Sequence, residues 1–281
     1  MNTKRSIFLK CLLTGLIYVV ITCIVQVPIG NAVYAILGAE ADPMFPPDVL
    51  PFLMLSLFVV GVVLAWFFYL YGDLFASNTK WKQGMKFSLF VCLSNYIPQV
   101  FFLDAAKGFR ALITGGFPVV QVEVFDCIIL VGTALCMVRF MPCRTQAKKA
   151  NRRIHWWRGS VCGVVFAACL VLLQEVLLPL LGFGSMADGL DVAKENLLFF
   201  YGVMLAGFFL TGLIVSICAD KLADARKRKR FFLGYGVLVW CFFDLTMIPL
   251  GFGVLATVLF VLMSLIAFDV TRIVHQFLSK E

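Results

Sequence analysis

The run GSVCGVVFAACLVLLQEVLLPLL, residues 159–181, decides the fold. Glu175 is its only ionisable side chain apart from its cysteines, and it follows directly on the basic stretch 144–158. At about 1.5 Å per residue, a helix of this length covers the roughly 30 Å of hydrocarbon in a bilayer. Working outward, seven further runs of the same kind occupy 8–27, 52–72, 86–103, 119–138, 197–217, 231–248 and 250–270. The sequence therefore predicts an all-α integral membrane protein of about eight transmembrane helices. Composition agrees. Of 281 residues, 62% are apolar and 14% charged, whereas a soluble domain is about half apolar and about a quarter charged. A mean hydropathy of +0.96 excludes a disordered polymer. The first run follows Lys4, Arg5 and Lys10 as a secretory signal would, but it stays apolar through Val25. No small-x-small cleavage site follows closely, so it reads as a retained helix.

Charge sets the orientation. With the N-terminus inside, only Lys107, Arg110 and Lys194 of the 24 Lys and Arg fall outside. That asymmetry obeys the positive-inside rule and predicts cytoplasmic N- and C-termini, in a membrane of the bacterial cytoplasmic type. The net charge of +8 is then a matter of topology, and nucleic acid is not an expected partner. The partner that is expected is the lipid bilayer, which the basic linker 143–158 can meet through anionic headgroups or simply face as a solvated anchor. Trp81, Trp156 and Trp157 suit the inner aromatic belt. The outer segment 28–51, with five prolines and Glu40, Asp42 and Asp48, reads as an irregular acidic cap.

The chain repeats itself. Tyr71-Gly-Asp-Leu-Phe-Ala76 and Cys218-Ala-Asp-Lys-Leu-Ala223 both read small-Asp-x-[Phe/Leu]-Ala, 147 residues apart. The same shift lays Lys80 on Lys227 and Lys82 on Lys229, and a shift of 148 lays Gln26 on Gln174. Two four-helix halves are expected, 1–142 and 159–281, joined by the linker 143–158. Four is even, so both halves enter the membrane in the same direction, as in transporters with parallel repeats. The step Ala219-Asp-Lys-Leu222 followed by Arg226-Lys-Arg-Lys-Arg230 resembles the cytoplasmic loop motif of the major facilitator superfamily over some fifteen residues. Ser216 and Ala223 stand where that motif has glycine, and eight spans replace twelve. The resemblance implies that Asp220, and by the repeat Asp73, latch neighbouring helices.

Ionisable groups at membrane depth need a reason. Asp244 lies 14 residues beyond Arg230, about 21 Å along a helix, and near a C-terminal end where the macrodipole disfavours an anion. Glu175, beside Gln174, is 17 residues beyond Arg158, about 25 Å along its helix. Glu123 and Asp126 are expected in the first turns of an outward-starting helix, where the positive dipole end favours them. Asn95 and Gln99, four apart, would share one face, with Asp104 near the outer boundary. All of these fall in the outer half of the bilayer or at its rim. They form either a site for a ligand or coupling ion, with Lys107, Arg110 or Lys194 as counter-charges, or a set of interhelical hydrogen bonds. Gly159-x-x-x-Gly163-x-x-x-Ala167 and the pairs Gly202/Ala206, Gly207/Thr211 and Gly212/Ser216 are packing patterns.

No cofactor or metal is expected. The 10 Cys include no C-x-x-C pair, there are only two His (His155 and His275), and phosphate-loop, His-Glu-x-x-His and Gly-x-Ser-x-Gly motifs are absent. Three functions remain: a carrier for a small solute or proton, a non-catalytic scaffold or subunit of a membrane protein partner, and a carboxylate-dependent membrane enzyme.

Overall fold

The helix Thr3–Ile24 (α1) illustrates how this sequence builds its elements in the computed structural model. Ile7, Cys11, Thr14, Tyr18 and Val25 are buried, at spacings of three, four and seven, while Phe8, Leu9, Leu13, Leu16, Val20 and Ile24 are exposed. One stripe packs on protein, and the opposite face is apolar instead of charged, which is how a helix in lipid is patterned. The structure describes residues 3–29, 32, 50–99, 105, 117–141, 155–222, 224–245 and 254–279. Every element among them is helical.

The main helices after α1 are α2 (Leu50–Tyr71), α3 (Lys80–Val91), α4 (Phe117–Phe140), α5 (Trp156–Val171), α6 (Leu197–Asp220), α7 (Ala225–Tyr235) and α8 (Val254–Leu278). Five helical segments among the described residues are long and apolar enough to cross a membrane: Arg5–Ile29, Leu50–Phe75, Trp156–Leu180, Lys194–Asp220 and Thr257–Leu278. Four of them coincide with predicted runs, and the fifth overlaps the run 250–270 but continues eight residues beyond it. The described parts of the other three runs, 86–103, 119–138 and 231–248, fall on α3, α4 and α7 and the turns that follow α3 and α7.

The chain forms two compact units, the first from residues 1–89, 124–148 and 238–258 and the second from 90–123, 149–237 and 259–281. In the first, α1 and α2 cross through glycine. A Cβ on Gly15 would lie 2.7 Å from the Phe58 carbonyl oxygen, and one on Gly61 would lie 2.9 Å from the Gly15 Cα. The backbones touch because neither residue has a side chain. Below the crossing, Phe87 of α3 meets Phe68 and Phe75 edge-on, with centroids 5.1 and 5.3 Å apart. The tight connection from α2 to α3 is closed by α3 side chains: Gln83 Nε2 donates to the Gly72 carbonyl (3.3 Å) and Lys86 Nζ to that of Ala76 (3.3 Å). Lys80 Nζ donates to the Arg139 carbonyl at the end of α4 (2.9 Å), where orphan carbonyls attract a cation.

In the second unit, α5 and α6 cross with the same pattern. A Cβ on Gly163 would lie 2.7 Å from the Phe209 carbonyl oxygen, and one on Gly212 would lie 2.9 Å from the Gly163 Cα. In each crossing the carbonyl comes from the residue three before the partner glycine. Phe268 of α8 packs against Phe166 (4.5 Å) and Tyr235 (5.5 Å), and Phe90 packs against Tyr235 (5.4 Å). The chain leaves the α5 rod through Gly182 at φ +84°, with the Phe183 N–H reaching the Leu178 carbonyl (3.0 Å), a left-handed cap that suits glycine. The short helix Met186–Gly189 follows behind a reciprocal cap between Ser185 and Asp188. Hydrogen bonds from the Ser185 hydroxyl and backbone N–H hold the Asp188 carboxyl below its usual range, so the cap stands at neutral pH.

Candidate functional site

Among the described residues, four helices depart from α geometry in the same way. A π turn follows α1 (Val25–Ile29), α3 (Cys92–Tyr96), α5 (Leu172–Leu177) and α7 (Gly236–Cys241). Proline explains three of them. Pro28, Pro98 and Pro179 each lack an N–H, and in an unbroken α-helix each ring would press on the carbonyl four residues back. Widening the turn relieves that clash. Such turns are frequent at functional sites because they displace side chains and loosen the backbone ladder. Here three of the turns bear polar residues singled out in the sequence, Gln26, Asn95 and Gln174 with Glu175, and Asp244 lies three residues beyond the fourth.

In the first unit, Gln26 Nε2 donates to Asp126 Oδ1 at 3.2 Å. Its carbonyl oxygen, Oε1, is buried and has no hydrogen-bond partner among the described residues. Asp126 lies about two and a half turns into α4, because that helix starts at Phe117. Its stabilisation therefore comes from the Gln26 amide rather than from the helix end expected in the sequence. Asp244 sits on the short helix Phe242–Leu245, only 7% exposed, and that helix packs against α2.

In the second unit, Glu175 is tied at both oxygens. The Met186 N–H donates to Oε1 (3.1 Å) and the Tyr201 hydroxyl to Oε2 (2.8 Å), so this carboxylate fastens the connection between α5 and α6. Its neighbour Gln174 is 1% exposed, and its Oε1 is buried without a partner among the described residues. Gln26 and Gln174, the pair related by the 148-residue shift, thus present the same unsatisfied atom, each on a π turn. A buried carbonyl oxygen in that state costs about 1–3 kcal/mol and calls for a donor from water or a solute. Asn95 is fully buried on the π turn after α3, and Gln99 is 5% exposed just beyond it. Beside Asn95, the Tyr235 hydroxyl donates to Ser94 Oγ (2.8 Å). Pro98 approaches α6 at Gly207, where a Cβ would lie 3.1 Å from its carbonyl oxygen.

The two Asp of the duplicated step are placed differently. Asp73 lies in the 3-10 turn Gly72–Phe75, its carbonyl accepting from the Ala76 N–H (3.3 Å). Asp220 ends α6 and meets His275 of α8, with Oδ1 and Nε2 3.0 Å apart and both side chains buried. The sequence reading missed His275 because its last span stopped at 270, whereas α8 continues to Leu278. It missed Tyr201 too. A tyrosine early in the span that follows an unexplained carboxylate was the available signal. Among the described residues no three His, Cys, Asp or Glu side chains gather as a metal site. The Glu123 side chain, Asp104, Lys107, Arg110, the turn 249–253 and most of the segments 28–51 and 143–158 lie outside the described residues.

Fold and site together define an all-helical membrane protein with polar groups held on widened turns of its helices. Comparison with protein-family models, with curated proteins and with solved structures found no match.

Proposed function

We propose that the chain is a carrier that moves a small polar solute together with a proton. In this reading it crosses a bacterial cytoplasmic membrane eight times, as two parallel four-helix halves, 1–142 and 159–281, with the linker 143–158 and both termini inside. The observation that carries it is the coincidence of π turns with intramembrane polar residues. With the N-terminus inside, α1, α3, α5 and α7 are the four helices that rise outward, and each widens towards its outer end beside Gln26, Asn95, Gln174 or Asp244. Interrupted helices that expose backbone and amide groups at depth are how carriers bind solutes. The amides supply hydrogen bonds to the solute, and Asp244 takes and gives the proton.

The duplication is supported by the matching glycine crossings, Gly15 on Gly61 and Gly163 on Gly212. The recurrence of π turns after the first and third helix of each proposed half supports it as well.

The test is proton flux. Full-length protein in proteoliposomes with a trapped pH dye is challenged with amino acids, sugars and small amides. At least one solute class is expected to drive proton movement, and Asp244→Asn is expected to reduce it to the level of protein-free vesicles while incorporation stays normal. No solute-driven flux, or full flux in Asp244→Asn, refutes the reading.

One observation favours a different role, a non-catalytic subunit of a membrane complex. Both oxygens of Glu175 are spent on fastening the connection to α6, so that carboxylate is structural. A subunit leaves no flux in the same vesicles and co-purifies with a stable membrane partner.

A further inference from the structure

Gln174 carries two acceptors that its own helix leaves without donors. The first is the side-chain Oε1, buried with no hydrogen-bond partner among the described residues. The second is its backbone carbonyl. In an α-helix that carbonyl would accept from the Leu178 N–H, but in the π turn Leu172–Leu177 this N–H donates to the Leu173 carbonyl instead. The π partner would be residue 179, and Pro179 has no N–H. A side-chain and a main-chain oxygen of one fully buried residue therefore call for a donor.

The surroundings favour a donor that is positively charged. Glu175, next in the chain, accepts from the Met186 N–H and the Tyr201 hydroxyl. Both are neutral, so among the described residues no cation offsets its charge. The π turn continues the C-terminal end of α5, where the helix dipole adds negative potential. The short helix Met186–Gly189 packs against the same turn. It belongs to a connection that holds Asp188, Asp191 and Glu195 against the single cation Lys194, so the approach draws cations.

We propose that this turn binds an ammonium group, with Gln174 Oε1 and the Gln174 carbonyl oxygen as its acceptors and Glu175 as its counter-charge. An ammonium group brings several N–H donors and a positive charge together, which matches two open acceptors beside an anion. The free ammonium ion and the head of a primary amine share this chemistry, and the experiment separates them. The inference names the solute class of the carrier proposed above and rests on that reading for movement, whereas binding needs only this turn.

The experiment is thermal unfolding of the full-length protein in detergent, with ammonium, methylammonium or sodium chloride at equal ionic strength. Ammonium is expected to raise the Tm of wild type above its value in sodium chloride. Gln174→Leu is expected to weaken that binding at least about tenfold. Without ammonium the same variant should unfold at a higher temperature than wild type, because an unsatisfied oxygen has been removed. Glu175→Gln keeps a carbonyl oxygen for the connection and is expected to weaken binding through the lost charge. Stabilisation by methylammonium as well identifies an amine head, and stabilisation by ammonium alone identifies the free ion. Equal effects of ammonium and sodium on wild type, or an ammonium effect unchanged in either variant, overturn the proposal. Binding without solute-driven flux in the proteoliposomes refutes the carrier reading alone, and flux without an ammonium effect refutes this site alone.

Discussion

Replacing His275 by alanine is expected to cost about 2–3 kcal/mol of stability, the usual result of leaving a buried acceptor without its hydrogen-bond partner. The side chains of Asp220 and His275 are 6% and 2% exposed, so water cannot replace the lost contact. Asp220 has no reserve either: its second oxygen, Oδ2, is buried without a hydrogen-bond partner among the described residues. Taking away the imidazole leaves the whole carboxylate desolvated at the end of α6, where the helix dipole also opposes an anion. Asp220→Asn should be milder, about 1–2 kcal/mol, because a neutral amide still bonds the ring. The double variant Asp220→Asn/His275→Ala should recover part of the loss of His275→Ala, since no charge is then stranded. Denaturant unfolding of the four proteins in detergent measures all three quantities. Additive losses would show that the two groups do not interact.

The second large effect concerns the glycine crossing of α5 and α6. Gly163→Ala is expected to destabilise by about 1–3 kcal/mol, the range for overpacking, and Gly163→Leu by more. The added Cβ would meet the Phe209 carbonyl oxygen at 2.7 Å, which is backbone and cannot rotate aside, so α5 and α6 must separate. Gly202, on the same α6, is the control. It is exposed and nothing lies within 4 Å of its Cβ position, so Gly202→Ala should be neutral or stabilise by up to about 1 kcal/mol through helix propensity. Thermal unfolding in detergent compares them. Equal effects at the two positions would mean that the crossing tolerates separation.

Much of this was legible in the sequence because membrane helices announce themselves by composition. The run 159–181 and four others fall on helices long and apolar enough to cross a membrane, since charge-free length needs no knowledge of neighbours. The small-residue stripe Gly159-x-x-x-Gly163 marked a close approach, although which helix approached could not be read from spacing alone. The π turns were hidden. A proline warns of a break, but whether the chain kinks, tightens or widens depends on what packs around it, and the turn beginning at Gly236 lies beside no described proline. Partners were hidden for a related reason. Asp126 meets Gln26 across 100 residues of chain, and Asp220 meets His275 across 55, so no local pattern contains both members. A residue type at the right depth is visible in sequence, whereas the side chain that satisfies it is a property of the fold.

The central claim, that Asp244 exchanges a proton with the outer side, is tested most directly by infrared difference spectroscopy of sealed proteoliposomes while the external pH is stepped. The account predicts a protonated-carboxyl band that rises on external acidification in wild type, is missing from Asp244→Asn and persists in Glu175→Gln. Identical difference spectra for wild type and Asp244→Asn would contradict it, because Asp244 would then be a buried structural group that takes no part in proton movement.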